Sequence, residues 1–415
     1  MTEQSKIHCG DSLEILKTFP DNSIHMAVTS PPYYSPEKGV RNYRVDPETL
    51  IPYFDTKMIW ADGWGGDLGV EPTPQKYVEH LTEICTEVHR VLRPDAMFWL
   101  NLGDNRAGSG MGPSGKNAAI KNQGERQGFV GKHTVIPPGF KRKDVFGIPF
   151  RVGIALQEQG WYWRDTIPWI KRNSAPGSYK DRPVSTIEWI LILTKTADNY
   201  YDYVAVMQQA SESYLKDKRP KGVLRQRVNK NTKYNREESQ YKKQDITGNS
   251  TYTGFNKRYK EAGSCDKRFF RSSDFFFKTW QGLLCDEEGD PLAMVVNPKS
   301  YRGKHTASFP VLLPQTCIAA STSEKGVCPK CGAPWKRLAE KIYSDDRKDY
   351  KIVTNGWQPT CKCGCETTIP ATVLDFFAGT SATGVACKRT NRNYVGIEIN
   401  PMYCELGETR IKEGK

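Results

Sequence analysis

The sequence predicts an α/β fold built on a doubly wound, mostly parallel sheet, with two insertions. Three observations predict it. Short apolar runs at Ile24–Val28, Met97–Leu102 and Thr372–Phe376 stop abruptly at Pro or Gly, as buried strands do. A stretch with apolar residues at helical spacing (Tyr77, Leu81, Ile84, Val88, Val91, Leu92) leads into the Met97–Leu102 run, as in an α/β crossover. Near the far end, T-V-L-D-F enters F-A-G-T-S-A-T-G, then a helical stretch, then a strand over Tyr394–Ile399 that reaches Glu398. That is the first half of a nucleotide-binding βαβ unit.

Composition bounds the partners. The chain has 415 residues, enough for two to three domains or one domain with insertions. Hydrophobic content is 38%, so a sizeable core coexists with much polar insertion. A net charge of +13 points to a polyanion, nucleic acid first. No apolar run approaches the length of a membrane span, and M-T-E-Q-S-K lacks the apolar stretch of a signal peptide. The expected compartment is therefore the cytoplasm. Twelve cysteines in such a chain argue for reduced thiols and metal binding rather than disulfides.

Taken in order, Asp11 can cap a helix over Ser12–Phe19. The next strand ends in Thr29-Ser30-Pro31-Pro32-Tyr33. Two prolines remove two N–H groups, so the ladder must stop there. The carbonyls of Ser30 and Pro31 are then released at the carboxyl end of a strand, where open α/β sheets bind ligands. A hydroxyl, fixed carbonyls and a ring suit an amino group on a planar heterocycle, which offers two N–H donors and a π-face. An ordinary strand-to-loop exit is the plainer alternative.

Asn42–Glu71 is irregular and aromatic, a lid or substrate loop. Thr73-Pro74 opens the helix described above, and Arg93-Pro94-Asp95 ends it. Residues 104–144 are polar and rich in Gly and Lys, the pattern of a mobile loop closing over a substrate or cofactor. Gly110, Gly115 and Lys116 mimic a phosphate-binding loop, but Asn117 stands where Ser or Thr would bind magnesium and no apolar helix follows. A helix is expected over Val145–Gln159, an aromatic strand over Gly160–Trp169 and an apolar strand over Thr186–Lys195. The tryptophans of the aromatic strand are equally at home in a core. Ser211–Gly263 is dense in Lys and Arg, with Tyr214, Tyr234, Tyr241, Tyr252 and Tyr259 interleaved. Basic residues with aromatics suit a phosphate backbone with stacked or groove-edge contacts. A solvated basic insertion is the alternative. A helix follows over Ser308–Ala320.

Cys328-Pro-Lys-Cys331-Gly332 is a knuckle, and Cys361-Lys-Cys363-Gly-Cys365 follows about thirty residues on. Four thiolates from two turns match a tetrahedral structural zinc. Cys328, Cys331, Cys361 and Cys363 form the expected set, with Cys365 the substitute for Cys363. No His or carboxylate completes an open, catalytic site. Reactive or buried thiols are the alternative.

Thr29–Tyr33 resembles the catalytic motif of the DNA methyltransferases that modify exocyclic amino groups. Its Ser form is most similar to the cytosine-N4 enzymes; adenine-N6 enzymes more often carry Asp or Asn before the two prolines. F-A-G-T-S-A-T-G resembles the S-adenosylmethionine loop of the same family, with Phe376 where the family has Pro and Ser381 where it has the second Gly. The W-x-K-x-N, D-R-P and E-W-I-L-I-L-T-K segments, the K-H-T-A-S-F-P segment before Pro310, and N-P-M-Y at Asn400–Tyr403 fit the pattern too. The resemblance implies a Rossmann-like S-adenosylmethionine-dependent fold in the permuted motif order of the β group, catalytic motif first and cofactor loop last. It implies catalytic roles for Ser30, Pro31, Pro32 and Tyr33. It implies cofactor contacts at Asp11, Asp375, Phe377, Gly379, Thr380, Glu398 and Asn400, with Glu398 accepting the ribose hydroxyls. Asp11 remains equally readable as a plain helix cap.

The implied organisation is a catalytic half over 1–204, a target-recognition region over 205–300, a cofactor half over 301–327 and 367–415, and a zinc insertion over 328–366. The implied partners are double-stranded DNA and a cognate restriction endonuclease, with no membrane. Two readings compete: an adenine-N6 enzyme on the same scaffold, and a zinc-ribbon DNA-binding protein whose methyltransferase core is inactive. No Pro-Cys dipeptide occurs, which disfavours carbon-5 methylation through a cysteine nucleophile.

Overall fold

The computed structural model describes residues 5–35, 59–108, 136–170, 187–209, 310–343 and 349–414, with short strand segments between 264 and 294. The Ser211–Gly263 basic run, the Gly110–Asn117 phosphate-loop mimic, Lys171–Asn173, Asp181–Pro183 and most of K-H-T-A-S-F-P lie outside the described residues. So does most of the expected target-recognition region.

Nine strands and six helices carry the argument: β1 (Lys6–Cys9), α1 (Ser12–Lys17), β2 (Ile24–Thr29), α2 (Pro74–Val91), β3 (Leu92–Leu102), α3 (Ile148–Glu158), β4 (Tyr162–Ile170), β5 (Ile187–Thr194), α4 (Leu312–Ser321), β6 (Trp335–Tyr343), β7 (Asp349–Pro359), β8 (Thr372–Asp375), α5 (Ala382–Thr390), β9 (Asn393–Glu398) and α6 (Pro401–Glu413). The main sheet has seven strands in the order β1-β9-β8-β2-β3-β5-β4. The first five are mutually parallel, and β5 and β4 close the edge antiparallel. β8 therefore lies beside β2, although most of the chain separates them.

Alternate residues of each strand face opposite layers. Phe98, Leu100, Leu102, Leu191, Leu193 and Leu374 join one core with Leu13, Leu16, Leu81, Val88 and Val152 of α1, α2 and α3. On the other face, the Trp99 indole N–H donates to Ser321 Oγ of α4 at 2.8 Å, and α4 packs on α5, which packs on α6. Helices thus cover both faces, which is why the strands read as nearly continuous apolar runs.

Several boundaries differ from the sequence reading for local reasons. The structure has no turn closing α2 at Arg93–Asp95. Leu92 already begins β3, and the β2–β3 register shifts between Leu92 and Met97 to accommodate Pro94. α3 starts at Ile148 rather than Val145, because Gly147 is left-handed and Asp104 receives the Gly147 and Ile148 N–H groups. α4 starts at Leu312, after Pro310. α2 begins as its sequence signals: the Thr73 side chain accepts the Lys76 N–H, with Pro74 in the first turn. Among the described residues, no helix is long and apolar enough to cross a membrane.

By packing, the chain divides into two units: Met1–Val206, Arg271–Lys336 and Gln358–Lys415 in the first, Met207–Phe270 and Arg337–Trp357 in the second. The cysteine-bearing ends of the 328–366 stretch belong to the first unit, and its β6–β7 middle to the second.

Candidate active site and its cofactor cleft

β2 ends at Thr29, and the next four residues turn across the carboxyl edge of the sheet. The loop is held from several sides. The Tyr77 hydroxyl donates to the Pro32 carbonyl at 2.9 Å, Asn105 Nδ2 donates to the Tyr34 carbonyl at 2.6 Å, and the Ser35 N–H donates to the Gly69 carbonyl at 2.7 Å. The Tyr34 ring is buried against Tyr77 and Phe146. Among the described residues, no protein donor reaches the Pro31 carbonyl, which directly precedes the Tyr77-anchored Pro32.

Ser30 and Tyr33 meet in a polar knot that the sequence reading missed. Ser30 Oγ and the Tyr33 hydroxyl are 3.0 Å apart. The Tyr33 hydroxyl donates to Glu188 Oε2 at 2.7 Å. Asn101 Nδ2 donates to the Tyr33 hydroxyl at 2.8 Å and to Glu188 Oε2 at 3.0 Å, with Ser30 Oγ at 3.3 Å. Asn101 sits near the end of β3, and Glu188 near the start of the antiparallel β5; both are buried. Burial first, then the Glu188 charge, hold the Tyr33 phenol well above its usual pKa, so it stays protonated. The Tyr33 ring lies so close to Gly103 that a Cβ there would sit 2.4 Å from it. The signal for Asn101 and Glu188 was present in F-W-L-N-L and E-W-I-L-I-L: a polar residue inside or opening an otherwise buried strand needs a partner.

The second half of the cleft abuts the first. Asp375, at the end of β8, accepts Thr29 Oγ1–H on one oxygen and Thr383 Oγ1–H on the other, both at 2.6 Å. Phe377 N–H adds a third bond at 3.3 Å. Burial raises the Asp375 carboxyl to about 6 despite these donors. Asp375 therefore acts as an internal bolt between the end of β2 and the start of α5. Phe376 is buried against Phe98, which is how this chain fills the position where the family pattern has Pro.

Beyond it, Gly379 turns at φ +51° and donates its N–H to Glu398 Oε2 at 2.8 Å; the Asn400 N–H donates to Glu398 Oε1 at 2.8 Å. Each carboxylate oxygen keeps a second lone pair for a hydroxyl. Burial raises Glu398 to about 7, with those N–H groups opposing it. The Gly10 N–H reaches the Glu398 carbonyl at 2.9 Å, and Ser12 Oγ–H the Phe376 carbonyl at 2.5 Å, so the β1–α1 turn borders the same cleft. Asp11 Oδ1 caps α1 through the Leu13 and Glu14 N–H groups. Thr380 is buried, its carbonyl and hydroxyl both accepting from Arg410, and Asn400 Oδ1 caps α6 through Met402 N–H. Thr380 and Asn400 thus have intramolecular partners that fix the loop and the start of α6 beside Glu398. Ser381 lies in the left-handed region at φ +57°, which favours Gly.

The Sγ atoms of Cys328, Cys331, Cys361 and Cys363 all lie within 4.8 Å of one another, and Cys365 is outside this group. Backbone N–H groups of Lys330 and Cys331 turn to the Cys328 sulfur, and Gly332 makes the turn at φ +71°. Arg93 holds the knuckle on the first unit by donating to the Cys331 carbonyl at 2.6 Å.

A doubly wound sheet that carries a polar loop at the carboxyl end of β2 and a buried carboxylate at the end of β9 is the frame of a nucleotide-cofactor group-transfer enzyme. The family model for DNA methylases of the N6/N4 type matches residues 24–329 and 365–409, and the chain belongs to that family. It is similar to the type II methyltransferase M.Cfr9I of Citrobacter freundii, at 28% identity over 97% of this chain and 86% of that protein. It is similar to M.SmaI of Serratia marcescens at 25% identity over 98% and 90% respectively. Among solved structures, the cytosine-N4-specific PvuII DNA methyltransferase aligns over 100% of this chain and 95% of its own at 14% identity, with a TM-score of 0.47.

Proposed function

We propose that this DNA methyltransferase transfers the methyl group of S-adenosylmethionine to the N4 amino group of cytosine in double-stranded DNA. The observation that carries the base assignment is Ser30, rather than Asp or Asn, beside the open Pro31 carbonyl. The type II names of its relatives support a role in restriction–modification, with a cognate endonuclease reading the same site.

The residues fit the cofactor. The remaining Glu398 lone pairs would accept the ribose hydroxyls, Gly379 would let the backbone approach closely, and Asp11, at the β1–α1 turn, and Phe377 would hold the adenine. S-adenosylmethionine supplies an electrophilic methyl on a sulfonium sulfur. The protein supplies position and polarity. A cytosine stacked in a duplex is out of reach, so it is flipped into the cleft. Its amino lone pair is delocalised into the ring and nucleophilic only when the nitrogen is drawn toward a tetrahedral shape. Ser30 Oγ and the Pro31 carbonyl accept the two N–H bonds and do this. Pro32 and its Tyr77 anchor hold the carbonyl in place, and Tyr33 presents its ring to the base. As the nitrogen–carbon bond forms the sulfur–carbon bond breaks, leaving the neutral thioether, and the methylated, cationic nitrogen sheds its proton to water. The basic, Tyr-rich 205–300 region is read as the part that recognises the target sequence.

A structural zinc on Cys328, Cys331, Cys361 and Cys363 completes the reading: four converging sulfurs suit a closed tetrahedral site. The deciding experiment is digestion of methylated DNA to nucleosides with mass identification of the product. N4-methylcytosine is expected. N6-methyladenine would keep the scaffold reading and overturn the base assignment.

A further inference from the structure

The knot around Ser30 has a direction. Tyr33 carries one hydroxyl proton, and the strongest acceptor within reach is the Glu188 carboxylate at 2.7 Å. With that proton committed, the Tyr33 oxygen can only accept from its other neighbours. The 3.0 Å contact between Ser30 Oγ and the Tyr33 hydroxyl must then run from Ser30 to Tyr33. Asn101 has two N–H bonds, and its two shortest contacts are the Tyr33 oxygen and Glu188. It therefore reinforces the same polarity, and its 3.3 Å approach to Ser30 is the weakest of the three.

We infer that Glu188 is a positioning residue: its carboxylate fixes the chain Ser30→Tyr33→Glu188, so that the Ser30 hydroxyl spends its proton inward and presents lone pairs to the target amino group. Without this bias a serine hydroxyl is ambivalent. It could donate toward the ring or into solvent and lose the acceptor role that the chemistry needs. An Asp or Asn at the same place would offer an acceptor oxygen without such help. A serine needs an external charge to fix its orientation, and β5 supplies it from the antiparallel edge. No step of the chain passes a proton to the substrate; Glu188 acts only through Tyr33.

This inference rests on the proposed amino-methyl transfer, and its test separates the two. The experiment measures single-turnover methyl transfer with S-adenosylmethionine and duplex DNA, alongside equilibrium binding of each. Glu188→Gln is expected to slow transfer roughly 10–100-fold, the size of one hydrogen bond to a charged group, while both binding constants stay within about twofold. Tyr33→Phe, which breaks the chain at its middle while keeping the ring, is expected to give a similar loss. Adding Glu188→Gln to Tyr33→Phe or to Ser30→Ala is expected to cost nothing more, because the three act as a unit. Multiplying losses in those double variants would overturn the inference, as would a Glu188→Gln defect confined to DNA or cofactor binding. If Glu188→Gln does not fold, the Tyr33→Phe and Ser30→Ala pair reads the same chain. A parent enzyme that leaves cytosine unmodified would overturn the functional reading instead.

Discussion

Thr29 and Asp375 stand 346 positions apart in the chain and are joined by a 2.6 Å hydrogen bond at the centre of the sheet. One is the last residue of β2, and the other the last residue of β8. The bond ties the ends of the two strands together, and nothing in the local sequence of either strand announces it.

Thr29→Val keeps the shape of the side chain and deletes the donor. Asp375 then loses one of its two hydroxyl partners inside the core. Leaving part of a buried acceptor unsatisfied costs about 1–3 kcal/mol, a loss readable by urea unfolding. The pH dependence has a definite sign. Asp375 is raised from 3.8 to about 6, so the folded state holds its proton more tightly than the unfolded one. Its contribution to stability is full below about 3.8 and is lost as pH rises through about 6.

Glu398, proposed as the ribose carboxylate, is expected to make cofactor affinity depend on pH. Ribose hydroxyls donate to a carboxylate, and burial raises this carboxyl to about 7. Cofactor binding measured by calorimetry is expected to tighten as pH rises from 6 to 8. Glu398→Gln should bind more weakly and show a flat profile over that range. A parent profile that is also flat would remove Glu398 from the ribose site.

What was legible in the sequence follows from range. Thr73 and Pro74 announce α2, two prolines announce the end of β2, and four cysteines in two turns announce a cluster, because each signal is local. Asn101 and Glu188 were not identified, because a polar residue in an apolar strand says that it needs a partner without saying which. Motif position points Asp375 and Thr380 at the cofactor, but it does not announce that the Asp375 carboxylate also takes Thr29 and Thr383, or that the Thr380 hydroxyl takes Arg410, because those partners are distant in sequence or outside the motif.

The basic run over 211–263 carries the largest prediction for DNA. A protein that neutralises several phosphates loses affinity steeply with salt. Deleting 211–263 is expected to abolish sequence-specific DNA binding, to flatten the salt dependence of what remains, and to leave cofactor binding near the parent value. Equal loss of both affinities would make the segment part of the catalytic core.

The cysteine cluster separates two neighbouring thiols. The Cys363 sulfur lies within 4.8 Å of those of Cys328, Cys331 and Cys361, and Cys365, two residues on, does not join them. Elemental analysis of the purified protein is expected to find about one zinc per chain, as a closed four-sulfur site holds. Cys363→Ser should lose the metal, while Cys365→Ser should keep it. Metal affinity at such sites is coupled to folding, so Cys328→Ser and Cys363→Ser should also lower the unfolding temperature and Cys365→Ser should not. Arg93 adds a second readout, since its guanidinium joins β3 to the Cys331 carbonyl. Release of the knuckle by chelation should therefore loosen the start of β3, measured as faster amide exchange there. Full stability and unchanged exchange in a metal-free Cys328→Ser protein would reduce the cluster to neighbouring thiols that hold no metal.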